Sequence, residues 1–560
     1  MRALILLTLL LLVLSPLKAT ADPQSEPMLT AIEIYGYLTD QFERRVEGAE
    51  VTVYAGGQRL AVVETMDDGS YLVFCNVRDI SSMSTLELRY SKFAHRQTVE
   101  EISLGDMATR TESEGQVVYF LRHDAVLETE DHITGGGWVA LAIFFVTFGL
   151  ILSGAVDRTI GAMVGAFLMF ATGMIFGFMD QQAAVAAIDF NVIGLLMGMM
   201  IIVNVLKPTG FFQAVGIGAA RLARHKPWRL LVLMGMVTAL ISMFIDNVTS
   251  IILMVPLTIH IAESVGIDPV PILLSEALLS NVGGVGTLIG DPPNVMIASA
   301  AGLTFNQFIT HLLPMTFLAL GITLVIFYFI FRSWRRTSVR MMRSRHLSMR
   351  DAIKDPSGMR KTLVVLGVTI GLFSIQTHLP VSIATIALIG ATAALLVRNR
   401  EVSSILEQVE WPALIFFAGL FVLVDGLSRA GVMDLAAQTL VSLSGGKLLL
   451  TTVAIIWVSA MASAFVDNIP FAATMIPLIK QIEHLGLNVM PMWWALAMGA
   501  GFGGNGTPIG ASANVITVIL SEKAKHPVTT KIWLKAGTPV MIITCAVATL
   551  FVVVFFGLFT

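Results

Sequence analysis

Hydrophobic and polar positions divide the chain into three stretches with different periods. After Arg2, residues 3–14 are almost wholly aliphatic, and Ala19-Thr20-Ala21 precedes Asp22. This order reads as a secretory signal over 1–21; the alternative is an uncleaved anchor, which the run is too short to make into a full span. Residues 22–132 alternate with period two: AIEIYGYLTD, AEVTVYAGG, GSYLVF, STLELRY and QVVYFLRHD read as short strands punctuated by Gly, Asp and Asn. They predict a small antiparallel β-sandwich outside the cytoplasm, with Asp67-Asp68-Gly69 turning into the Tyr71 strand.

From Gly137 onward the pattern changes to long apolar runs at 137–154, 159–178, 190–206, 229–245, 248–262, 270–282, 314–331, 362–376, 381–397, 411–427, 448–466, 469–482, 492–500 and 536–559. They predict a polytopic α-helical membrane protein. Several runs are too short to span alone, and several are broken by polar residues. Such breaks are tolerated at membrane depth only where they are buried in protein or line a cavity. Composition agrees: 55% hydrophobic, 13% charged and a mean hydropathy of +0.78 over 560 residues exclude an ordinary soluble enzyme. A net charge of −3 argues against nucleic acid as a partner. Cys75 and Cys545 are too far apart in sequence to suggest a disulfide framework, and His260, His311, His378 and His484 show no metal spacing.

The runs repeat. DFNVIGLLMG at 189–198 aligns with EWPALIFFAG at 410–419. In the same register Gly210 meets Gly431, Asp246-Asn247 meets Asp467-Asn468, and Pro256 meets Pro477. After a slip of one residue, GGVGTLIGDPPN at 283–294 aligns with GGNGTPIGASAN at 503–514. Charge gives the repeat its sense, because Lys and Arg gather in cytoplasmic loops. Segment 332–361 holds ten Lys or Arg, and loop 221–229 holds Arg221, Arg224, Lys226 and Arg229, whereas the mate around 442–450 has only Lys447. Loop 521–535 carries Lys523, Lys525, Lys531 and Lys535 against none in 301–315; Arg398 and Arg400 stand against none in 179–190. Equivalent loops have opposite bias, which predicts an inverted 5+5 repeat: 137–331, a basic cytoplasmic linker 332–361, and 362–560. Hairpins turning at Asp246 and Asp467 and two broken helices complete the expectation.

Four segments are expected to converge: FIDNVTS, SNVGGVGTLIGDPPN, FVDNIPF and GFGGNGTPIGASAN. Asp246, Asn247, Asp467, Asn468 and Asp291 are the candidate ion or proton site. Thr249, Asn281, Gly283, Gly284, Thr287, Gly290, Asn294, Gly504, Asn505, Thr507, Gly510, Ser512 and Asn514 are the candidate substrate site. Glycine permits close backbone approach, and Pro292, Pro293 and Pro508 interrupt the helix ladder. No Lys or Arg lies between Arg229 and Arg332, and intramembrane carboxylates mark ion or proton pathways. Against this, Asp is a favoured N-cap, a role open to Asp246, Asp467 and Asp291 alike. Glu276 is either a proton carrier or a residue facing a polar cavity.

FIDNVTSIILMVPLTI, SNVGGVGTLIGDPPNVMIASAAGL, FVDNIPFAATMIPLI and GGNGTPIGASANVI resemble the ion-transporter superfamily. The nearest likeness is its arsenite-permease and sodium/proton-antiporter branch, which includes the P protein. The likeness spans about 137–560, and residues 22–132 resemble a carboxypeptidase-regulatory-like domain. It implies a homodimer with a fixed scaffold and a mobile transport domain, moving a small ion by an elevator mechanism. No cofactor is implied beyond a sodium ion or proton as coupling ion. Dicarboxylate symporters of the superfamily carry Ser-Asn-Thr at the tips, where this chain has Asp246-Asn247-Val248 and Asp467-Asn468-Ile469. Transport of an anion (chloride, arsenite or an organic anion) is the alternative. An intramembrane aspartyl protease would want Gly-x-Gly-Asp, but Leu288-Ile289-Gly290 precedes Asp291. A signal without an organelle presequence fits a bacterial inner membrane.

Overall fold

The computed structural model describes residues 30–40, 45–46, 48–55, 58–66, 68–77, 85–91, 98–111, 117–127, 134–224, 226–336, 352–397, 401–444 and 447–559. The signal segment 1–21, Asp67, Arg398, Arg400 and residues 337–351 of the basic linker lie outside the described residues. The chain divides into two compact units, Met1–Thr129 and Glu130–Thr560.

In the first unit, β4 (Ser70–Val77), β1 (Thr30–Asp40), β8 (Val117–Arg122) and β7 (Ala108–Thr111) lie side by side, with β9 (Ala125–Leu127) also on β1. The second sheet runs β3 (Gln58–Glu64), β2 (Glu50–Ala55), β5 (Thr85–Ser91), β6 (Thr98–Ser103). Alternation sends Leu86, Leu88 and Tyr90 of β5 inward, against Ile32, Ile34, Val51, Val53 and Val73. The antiparallel expectation fails at β1, which pairs antiparallel with β4 but parallel with β8 and β9. The β7–β8 hairpin delivers β8 in the direction of β1, with Ala31 opposite Val118 and Tyr35 opposite Arg122. Strands β3 and β6, the edges of the second sheet, escape the sequence pattern. An edge strand exposes charge and needs little alternation, and β6 buries only Ile102. At the Asp68–Gly69 turn Gly69 has φ +73, and Asp68 Oδ1 accepts the Ser70 N–H at 2.9 Å.

The second unit is helical. Its first ten helices are α1 (Gly135–Ser153), α2 (Arg158–Phe176), α3 (Gln181–Ala186), α4 (Phe190–Leu206), α5 (Phe211–Leu222), α6 (Pro227–Ser242), α7 (Asn247–Val265), α8 (Val270–Gly284), α9 (Pro292–Ala301) and α10 (Phe305–Ile330). Among the described residues these are followed by α11 (Pro356–Ser374), α12 (Ile383–Val397), α13 (Val402–Glu407), α14 (Trp411–Arg429), α15 (Val432–Ser444), α16 (Leu448–Phe465), α17 (Asn468–His484), α18 (Met490–Gly503), α19 (Ser512–Lys523) and α20 (Thr530–Val554), with a short α21 (Phe556–Phe559) after them. Eight helical stretches among the described residues are long and apolar enough to cross a membrane. Helix α10 begins well before its apolar run because Thr304 and Gln307 form a capping box.

Packing alternates between the two sets of helices. Helix α4 packs on α12 and α14 on α2, while α6 lies against α8 and α16 against α18. Glycine permits the first two contacts: a Cβ on Gly198 would sit 2.7 Å from the Ala387 carbonyl carbon, and one on Gly419 would sit 3.0 Å from that of Ala162.

Candidate functional site

Two short breaks in the helices build the centre of this unit. Helix α8 ends at Gly284, and the chain runs through Val285–Asp291 before α9 starts at Pro292. Helix α18 ends at Gly503, and α19 starts at Ser512. Each break is braced in the same way. Asn294 Nδ2 donates to the carbonyls of Gly284 (3.0 Å), Val285 (3.3 Å) and Thr287 (2.9 Å). Asn514 Nδ2 donates to those of Gly504 (2.7 Å) and Thr507 (3.1 Å). The Thr287 and Thr507 hydroxyls donate to the carbonyls of Met243 and Ala464, stitching each break to the end of the neighbouring helix. A Cβ on Gly290 would lie 2.6 Å from Gly284 O and 2.7 Å from Ser242 O; on Gly510, 2.6 Å from Gly504 O and 2.8 Å from Ser463 O. Both positions are closed to any larger residue. A Cβ on Gly283 would meet Ala239 O at 2.5 Å, so that glycine serves the α6–α8 contact.

The tips sit beside these breaks. Asp246 Oδ1 accepts the Thr249 N–H at 2.9 Å, and Asp467 Oδ1 accepts the Ile469 N–H at 3.2 Å. Both symmetric aspartates cap the helix that follows, each with one carboxylate oxygen. Asp291 is different: its side chain makes no cap bond to α9. Instead its Oδ2 accepts Asn468 Nδ2 at 2.7 Å from the opposite tip. Its Oδ1 is buried without a partner, and the residue is 2% exposed. Asn247 Nδ2 donates to Asn281 Oδ1 at 3.3 Å. Asn281 Nδ2 in turn donates to Asn505 Oδ1 (3.0 Å) and Asn514 Oδ1 (2.8 Å). Asn505 Nδ2 is a second buried group left unsatisfied. The first tip thus reaches the second break through Asn281, and the second tip reaches the first break through Asp291.

A residue the sequence search missed completes the cluster. Arg158, at the start of α2, donates to Ser512 Oγ at 2.6 Å and stands 3.6 Å from Asp467 Oδ2. Ser512 Oγ donates to that same oxygen at 2.5 Å. Nothing in the sequence announces the pair, because Arg158 precedes Asp467 by most of the chain. Asp291 lies within Coulombic reach of Asp246 and Asp467, and Glu410 within reach of Asp246, Arg158 and Lys207. Four carboxylates against two cations leave two negative charges uncompensated if all are ionised. Among the described residues, no group of three or more His, Cys, Asp or Glu could hold a metal ion. The oxygens gathered at the breaks and tips are backbone carbonyls, side-chain amides and carboxylates.

Comparison with known proteins places this architecture. Residues 148–499 match the citrate transporter family. An uncharacterized transporter of Mycobacterium bovis is 37% identical over 417 residues, covering 74% of this chain and 97% of that protein. The 46 kDa membrane protein of Mycobacterium leprae is 36% identical over 73% of this chain and 96% of its own length. The human P protein is 30% identical over 74% of this chain and 59% of its own length. In fold the chain is similar to the YdaH transporter of Alcanivorax borkumensis, with a TM-score of 0.50 at 13% identity over 76% of this chain and 98% of that one. The matched segment covers the first helix break and both tips and ends within α18, just before the second break, and the chain therefore belongs to the citrate transporter family of membrane transporters.

Proposed function

We propose that this chain is a secondary active transporter that moves a small inorganic ion, coupled to sodium or protons, by elevator-type alternating access. The observation that carries this is Asp291: a buried carboxylate with one oxygen unpartnered, facing two further aspartates. Excess negative charge in a low-dielectric site is stable only when a cation or proton joins it. In this reading Asp246, Asn247, Asp467, Asn468 and Asp291 take the coupling ion. Asn281, Asn505 and Ser512, with the carbonyls of the two breaks, face the substrate, while Asn294, Asn514, Thr287 and Thr507 hold the breaks open. The two helix sets are halves of an inverted 5+5 repeat, α6–α7 and α16–α17 are re-entrant hairpins, and the protein works as a homodimer in a bacterial plasma membrane. The β-domain faces the periplasm and the basic segment 332–361 the cytoplasm.

The test uses purified protein in liposomes with a preset pH gradient, adding sodium, lithium, potassium, chloride, arsenite and citrate one at a time. A cation is expected to collapse the gradient in the wild type, with the effect lost in Asp246→Asn, Asp467→Asn and Asp291→Asn. Undiminished exchange in all three variants returns the tip aspartates to capping alone.

A second reading, anion transport, has its own support. Helix α19 is the one whose N-cap is Ala511 rather than Asp, and the Arg158 guanidinium lies beside its first residue, Ser512. A helix N-terminus plus a guanidinium favours a carboxylate or other oxyanion. Collapse of the gradient by citrate, arsenite or chloride alone would move the assignment there, with the aspartates as proton carriers.

A further inference from the structure

Away from the tips, α6, α7 and α8 enclose a carboxylate that the ion site does not use. Glu276 is wholly buried. Its Oε1 accepts the Thr258 hydroxyl at 2.6 Å and stands 3.4 Å from Thr238 Oγ1. The Thr238 proton is directed elsewhere, to Met234 O at 2.9 Å. Oε2 has no partner at all. The neighbouring elements offer no counter-charge. Their ionisable groups are Arg229 on α6, Asp246, His260 and Glu263 at or on α7, His311 and Tyr328 on α10, Glu522 and Lys523 on α19, and Lys531, Lys535 and Cys545 on α20; α18 carries none. None of these forms a hydrogen bond or ion pair with Glu276. An ionised carboxylate with one good hydrogen bond and no cation is too costly to bury, whereas the neutral acid is not.

The other half of the chain shows that the helix packing does not need this acid. In the register that matches Pro271 with Pro491, Glu276 corresponds to Leu496, which is also fully buried. Thr258 corresponds to Ile479 and Thr238 to Ser459, whose hydroxyl has no partner. The same helix pairs close around leucine there, so a polar group in the first half is not a packing requirement.

Two further buried hydroxyls, those of Ser242 and Ser280, stand between Glu276 and the break. Thr238 and Ser242 stand one turn apart on α6, as Glu276 and Ser280 do on α8. The first rung is Thr238–Glu276, and the second is Ser280 Oγ donating to Ser242 Oγ at 3.0 Å. The Ser242 carbonyl lies directly against Gly290, which precedes Asp291. We infer that Glu276 is a proton-binding site separate from the ion cluster, one turn along α8 from the Ser242–Ser280 pair that lies beside the first break. The Glu276 carboxyl takes up one proton and releases it when the ion site changes occupancy. Its part in coupling rests on the transport reading above; its protonation does not.

Infrared spectra of the full chain in lipid vesicles, recorded as the bulk pH is raised from mildly acidic to alkaline, test the protonation. The wild type is expected to show the carbonyl-stretch band of a neutral carboxylic acid at neutral pH. That band should be lost in Glu276→Gln and in Glu276→Leu, the latter chosen because the second half carries leucine there, and retained in Asp291→Asn. Persistence of the same band in both Glu276 variants overturns the proposal. Proton flux driven by sodium or citrate gradients then tests coupling: Glu276→Gln should bind the probe but lose probe-driven proton flux and its pH dependence. A Glu276→Gln pH profile matching the wild type reduces Glu276 to a space-filling polar group. Should neither probe move protons in the wild type, the transport reading fails while the infrared result still decides Glu276.

Discussion

At the scale of single residues, Asp467 and Asp291 separate by what their second oxygen meets. Asp467 divides its carboxylate between the Ile469 N–H and the Ser512–Arg158 pair. Asp291 has Asn468 on one oxygen and nothing on the other. Asn caps a helix about as well as Asp, so Asp467→Asn should leave stability within about 0.5 kcal/mol while abolishing coupling. Thermal unfolding alongside the liposome assay checks both halves of that statement. In the β-domain, the Tyr71 hydroxyl contacts that of Tyr90 at 2.9 Å and donates to His123 O at 2.5 Å. Burial raises the Tyr71 hydroxyl from 10.0 to about 12 and raises Tyr90 as well. The fold thus favours the protonated hydroxyls. Their contribution is complete below the unfolded value of 10.0, and that of Tyr71 is lost as pH rises through about 12. In an absorbance titration of the full chain, two of the seven tyrosines should ionise late, one fewer in Tyr71→Phe.

At the scale of elements, the breaks are specified by glycine, threonine and asparagine acting together. The motif GGxGTxIG followed four residues later by Asn was legible as a repeated break, and the structure gives each member a task. The glycines admit carbonyls, the threonine ties the break to a neighbouring helix, and the asparagine closes the turn. Gly290→Ala and Gly510→Ala force a methyl to within 2.6 Å of a carbonyl oxygen and should each cost about 1–3 kcal/mol. Gly321→Ala, on open helix surface with nothing near its Cβ, is the control and should be neutral or slightly stabilising. Denaturation midpoints in detergent compare the three. Sequence reading left capping and ion binding equally open for Asp291. Side-chain direction removes the cap bond to α9, and no spacing rule reports it.

At the scale of the whole helical unit, the site belongs to neither half alone. Asn281 of the first half, held by Asn247, reaches Asn505 and Asn514 of the second, and Asn468 of the second reaches Asp291 of the first. Arg158, from a helix packed on α14, reaches in to Asp467. This contact gives opposite expectations for the two transport readings. Arg158→Gln removes a competing cation, so sodium should bind on the order of tenfold more tightly if the site takes cations, whereas citrate should bind on the order of tenfold more weakly if it takes oxyanions. Calorimetric titration of the reconstituted protein with each ion reads the sign.

The sequence by itself determined the membrane character, the separate β-domain, the placement of the helices, the duplicated breaks and the list of polar residues at them. These follow from local quantities: hydropathy over a helix length, period-two alternation, and the short-range demands of glycine and proline. The aligned breaks already differ at Asp291 against Ala511 and at Val285 against Asn505. Only the tertiary structure decided what those residues meet, with Asn468 on Asp291 and Asn281 on Asn505. It also decided that β1 lies parallel to β8, and that Arg158 meets Asp467. Such pairings depend on how distant segments cross, and a buried polar atom is seen to lack a partner only after every segment around it has been placed.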